Sequence, residues 1–114
     1  MDKFELELSS ALQGLRVPVK LKGYELIKSA MRVLRNNLMA IHSVMGLYQV
    51  VAQKHNTTAK KVESNIRSAL QGARSDFATQ KKVLGTNREL SNKEFLATLH
   101  EVIKIKMAGA REEA

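Results

Sequence analysis

The stretch Leu47–Leu70, LYQVVAQKHNTTAKKVESNIRSAL, holds two apolar-periodic segments joined by a polar turn, His55-Asn56-Thr57-Thr58. Asparagine tolerates the left-handed backbone that ends a helix, and threonine caps the helix that follows. The pattern predicts helix, tight turn, helix. A helix-turn-helix needs a small residue inside its first helix, supplied by Ala52. It needs a turn residue that accepts a positive φ four positions on, supplied by Asn56. It needs a buried branched residue in the second helix, supplied by Val62. At 100° per residue, Val62, Ile66, Ala69 and Ala73 cluster on one side of that second helix and face a core. Lys60, Ser64, Arg67 and Gln71 fall on the opposite side, with Ser68 and Arg74 flanking them and Glu63 at the border. Arginine can bond guanine O6 and N7 together, glutamine can pair with adenine, and serine suits several bases, so this face has the chemistry of major-groove readout. Ser64, Arg67, Ser68 and Gln71 are the candidate base contacts. Lys60, Lys61 and Arg74, with the backbone at Thr58 and Ala59, are the candidate phosphate contacts. An ordinary helical hairpin with a solvated face would show the same spacing.

Outward from this core, Phe4, Leu8, Leu12 and Leu15 predict a short helix over about 4–15, stopped by Gly14 and Pro18. Tyr24, Ile27, Ala30, Met31 and Leu34 predict another over about 23–35, broken at Asn36-Asn37. Residues 38–55 suit one helix, or two that meet near Gly46. A weak pattern around Phe77–Val83 leads to Gly85-Thr86-Asn87. Ser91-Asn92-Lys93-Glu94 is a capping box that opens a last helix over about 91–108, with Phe95, Leu99 and Val102 toward the core and Ile105 and Met107 off that stripe. No stretch alternates as a strand would. The expectation is an all-α fold: one domain over residues 1–114, a compact bundle of five to six helices with the helix-turn-helix at about 47–74.

Charge separates the possible partners. The 114 residues carry a net charge of +8. Residues 14–88 hold fourteen Lys and Arg against Glu25, Glu63 and Asp76, a net of +11, while the two ends are mildly acidic. A positive source of this kind attracts a polyanion through counterion release. The chain has no cysteine, so disulfides and thiolate metal sites are excluded, in keeping with a reducing cytoplasm. No apolar run approaches the roughly 18 residues of a membrane span, and the acidic start Met1-Asp2-Lys3-Phe4-Glu5 is no secretory signal. His42, His55 and His100 lack paired ligand spacing, and no nucleophile–base set or phosphate-binding glycine loop is present. No metal, cofactor, small-molecule substrate or catalytic residue is expected.

Beyond this pattern, Val17-Pro18, Leu21-Lys22-Gly23-Tyr24, Leu47-Tyr48, Ile66-Arg67 and Ser91-Asn92-Lys93-Glu94-Phe95, together with Ala52-Gln53-Lys54-His55-Asn56-Thr57-Thr58-Ala59-Lys60-Lys61-Val62-Glu63, resemble a known family. The resemblance is to the C-terminal DNA-binding domain of the stage-zero sporulation master response regulators of endospore-forming bacteria. It runs from about residue 6 to 107, and within 75–90 this chain is several residues shorter. It implies a six-helix domain that binds short promoter boxes, often as head-to-tail tandem dimers. The family's recognition helix reads V-E-R-A-I-R-H-A where this chain has Val62-Glu63-Ser64-Asn65-Ile66-Arg67-Ser68-Ala69. Glu63 and Arg67 carry over as base contacts. Ser64 and Ser68 replace two of the family's reading side chains, so the resemblance implies the mode of docking and not the target sequence. The family's N-terminal phosphoacceptor domain is absent from these residues, leaving either an excised effector domain or a stand-alone regulator.

The function expected is sequence-specific binding of double-stranded DNA in the bacterial cytoplasm and nucleoid, as a transcriptional regulator, with a second copy on a tandem half-site. The alternative is a helical interaction or dimerisation module without DNA readout. RNA binding is disfavoured by an aromatic content of 4% and the lack of a stacking platform.

Overall fold

Local capping signals set most of the helix ends. The computed structural model describes the backbone of residues 2–113 and the side chains of residues 2–109. Among the described residues there are six α-helices and no strand: α1 (Lys3–Gly14), α2 (Lys22–Asn36), α3 (Val44–Lys54), α4 (Ala59–Ser75), α5 (Phe77–Leu84) and α6 (Asn92–Glu113). Asp2 caps α1 by accepting from the Glu5 amide at 2.9 Å. Asp76 caps α5 through the Thr79 amide at 3.1 Å. Ser91 and Glu94 form the expected reciprocal box at the start of α6, at 3.1 and 3.0 Å. The Glu94 carboxyl is held down to about 2 by the Arg88 guanidinium and by the Ser91 amide.

Two details differ from the sequence expectation. Helix α1 does close at Gly14, but the residue that turns left-handed is Arg16, at φ 61°. The amides of Arg16 and Val17 reach back to the carbonyls of Gln13 and Leu12 at 2.9 and 3.0 Å, the paired bonds of a Schellman ending. The stretch 38–55 does divide, but at Ser43 rather than Gly46. Residues Leu38–His42 form a 3₁₀ turn, Ser43 leaves helical geometry, and Gly46 lies inside α3.

The core is one cluster drawn from every helix. Helix α2 runs through its middle and buries Tyr24, Leu26, Ile27, Ala30, Met31 and Leu34. It packs most extensively on α4 and also meets α3 and α6. Gly23 makes the α2–α4 approach possible: a Cβ built there would lie 2.2 Å from the carbonyl oxygen of Asn65 and 2.6 Å from the Ala69 Cβ. The acidic N-terminus is strapped to α2 by Asp2–Arg35 and by Glu5–Arg32 at 2.7 Å, and the Arg35 guanidinium sits 4.8 Å over the Phe4 ring. Helix α6 buries Phe95, Leu96, Leu99 and Ile103, while Ile105 stays exposed. Met107, grouped with Ile105 by the sequence pattern, instead packs back on the core, because it shares a groove with Phe4, Leu34 and Leu38. No described helix is long and apolar enough to cross a membrane.

Candidate nucleic-acid interface

Helices α3 and α4 carry the turn predicted from Asn56. The residue adopts φ 55°, and the amides of Asn56 and Thr57 return to the carbonyls of Gln53 and Ala52, closing α3 with a second Schellman ending. Thr58 is extended and its Oγ1 accepts from the Lys61 amide at 3.2 Å. The amides of Ala59 and Lys60 are left to point out of the first turn of α4, where the helix dipole favours an anion. Ala52 is buried in α3 and Val62 in α4, as the motif requires.

The faces of α4 sort as the 100° spacing implies. Val62, Ile66, Ala69 and Ala73 are buried, and so is Leu70, which the sequence reading did not place. Thr58, Lys60, Lys61, Ser64, Arg67, Ser68 and Gln71 are exposed. Two candidates are not free on that face. Glu63 is half-buried and pairs with Arg67 one turn on, so the guanidinium lies along the helix. Such an exposed pair is worth only about 0.3–0.5 kcal/mol, so a guanine edge can displace it.

Arg74 is half-buried and turned away from the exposed stripe. Its Nη2 donates to the side-chain oxygen of Asn92 at the start of α6, and its Nε is buried without a partner. Burial, with repulsion from Arg67, pulls the Arg74 pKa below the usual guanidinium value. Arg74 and Arg67 border an open groove of about 560 Å³ between α3, α4 and the residues that lead into α6, floored by Val44, Tyr48 and Leu90. Glu89, Asn92 and Lys93 also line it. No sequence motif marks Glu89, Leu90 or Lys93 as part of this groove. The capping box located the start of α6, but no local pattern encodes which helix that start lies against.

The histidines are dispersed. His42 is exposed in the 3₁₀ turn, His55 closes α3, and His100 packs against Phe4 with its pKa lowered by burial. No group of three or more His, Cys, Asp or Glu among the described residues could hold a metal ion.

The turn, the cap and the exposed basic face occupy the segment that carried the most specific part of the sequence resemblance. The chain matches the family described as "Sporulation initiation factor Spo0A C terminal" over residues 8–103, a span that starts inside α1 and ends inside α6. With that match covering most of its length and a six-helix fold around a helix-turn-helix, the chain belongs to the Spo0A C-terminal family.

Proposed function

We propose that this protein binds double-stranded DNA in a sequence-specific way and regulates transcription in the bacterial cytoplasm, with α4 lying in the major groove. The observation that carries this reading is the outer face of α4. Lys60, Lys61, Ser64, Arg67, Ser68 and Gln71 are all exposed on a helix whose first turn has free amides. Arg67 reads guanine, Gln71 and the two serines read neighbouring bases, and Glu63 borders the contact. Lys60, Lys61 and the free amides at Thr58, Ala59 and Lys60 hold phosphates, and Arg74 stands at the edge of that contact.

Two copies occupy tandem half-sites about one helical turn apart, since a single module covers only about 600–1,000 Å². The exposed Ile105 on α6 is the proposed meeting point. Fluorescence anisotropy on an unrelated duplex separates this reading from a protein-interaction module. Binding should weaken as salt rises, with a log–log slope of at least about −2 per copy from Lys60 and Lys61. Absence of binding at 50–100 mM salt would leave the interaction module as the better account.

A further inference from the structure

We infer that Asn92 is a positioning residue for α4, a side-chain clamp from the first turn of α6 that fixes the orientation of the reading face. The inference deepens the DNA-binding reading and rests on it. The Asn92 Nδ2 donates to the backbone carbonyl of Glu63 at 3.3 Å, and its Oδ1 accepts from the Arg74 guanidinium. A carbonyl can only accept and a guanidinium can only donate, so the two partners dictate which way the amide faces. Buried Tyr48 of α3 lines the same groove, so α3, α4 and the start of α6 meet there.

The two partners matter because of where they sit on α4: Glu63 precedes and Arg74 follows Ser64, Arg67, Ser68 and Gln71. Asn92 holds α4 by its backbone at Glu63, and the long Arg74 side chain reaches back along the helix to the same amide. One amide therefore ties together residues from both ends of the reading stretch. Little else joins these two helices, because α6 packs mainly on α1 and α2. Arg74 then acts as a strut: its guanidinium is engaged inside the fold, so it serves specificity through orientation more than affinity through charge. A reading face must be held to within about 0.5 Å and 10–20° to keep several contacts in register.

The test compares the unmodified chain with Asn92→Ala and Asn92→Asp. Ser91 and Glu94 form the cap, so both variants retain it. Aspartate keeps an acceptor for Arg74 but has no donor for the Glu63 carbonyl. Two measurements are made on folded protein: amide hydrogen exchange without DNA, and the ratio of affinities for the duplex selected by the unmodified chain and for a scrambled duplex.

For Asn92→Ala, exchange should rise about tenfold across 63–74 relative to α1 and α2. The affinity ratio should fall about tenfold, as expected for the loss of two part-buried hydrogen bonds that water partly replaces. Scrambled-duplex affinity should stay within about twofold, with an unchanged salt slope, and Asn92→Asp should fall between. An unchanged affinity ratio, or exchange that rises equally in every helix, overturns the clamp. If the unmodified chain prefers no duplex, the DNA reading fails, and the exchange pattern alone upholds or overturns the clamp.

Discussion

Replacing Gly23 by alanine probes the contact that seats the recognition helix. The added Cβ would sit 2.2 Å from the Asn65 carbonyl oxygen, 2.9 Å from the carbonyl carbon and 2.6 Å from the Ala69 Cβ. Ordinary carbon–oxygen contacts begin near about 3.3 Å, so α4 must retreat by roughly 1 Å at this point. Two of the three obstructing atoms are backbone, so no rotamer change relieves the clash. Overpacking of this kind costs about 1–3 kcal/mol, occasionally more. Alanine's better helix propensity returns less than about 1 kcal/mol at the second position of α2. The net expectation is a loss of about 2 kcal/mol, or roughly 8 °C in Tm.

Gly72 is the control. It lies exposed on α4 with nothing within 4 Å of a built Cβ, so Gly72→Ala should gain about 0.5–1 kcal/mol. Thermal and urea unfolding of the two variants should therefore move in opposite directions. If Gly23→Ala were as stable as the parent, or gained stability alongside Gly72→Ala, the close α2–α4 approach would be wrong.

Three further outcomes follow from the same geometry. Arg16 carries a left-handed backbone without being glycine, so Arg16→Gly should stabilise by about 1 kcal/mol in urea unfolding, and a loss would contradict the Schellman assignment. Glu94 is depressed to about 2 in the folded state, so its stabilising contribution is complete above its unfolded pKa near 4.5 and is lost as pH falls toward 2. The Tm gap between parent and Glu94→Gln should accordingly be widest above pH 5 and close on acidification; a gap independent of pH would remove Glu94 from the account. Ser64→Arg combined with Ser68→His should tighten binding to the family's promoter box, because serine lacks the reach for bidentate guanine contact. Equal or better binding of that box by the unmodified chain would refute this assignment.

The parts of the fold that were legible in the sequence are those decided within a few residues. Asn56 and Thr58 announced the turn and its cap, Ser91 and Glu94 announced the start of α6, and the spacing of Val62, Ile66, Ala69 and Ala73 oriented α4. What escaped depends on distant partners. Nothing local distinguishes Gly23 from a flexible loop glycine, since its role is set by Asn65 on another helix. Gln80 has the composition of a surface residue, yet it is buried and its Nε2 donates to the carbonyls of Thr86 and Arg88, organising the loop before α6. Arg74 has the spacing of an outward-facing cation, and Asn92 draws it inward. The acidic N-terminus was visible as a charge imbalance, but its pairing with Arg32 and Arg35 was not.

Whether the exposed face of α4 reads DNA bases is decided by selection from a random duplex library with the unmodified chain and with Arg67→Ala. A short enriched motif with a strongly preferred guanine is expected for the unmodified chain. Arg67→Ala should lose preference at that one position, at a cost of about 1–3 kcal/mol on the selected duplex. Failure to enrich any motif, or an identical motif from both proteins, would contradict base reading by this face.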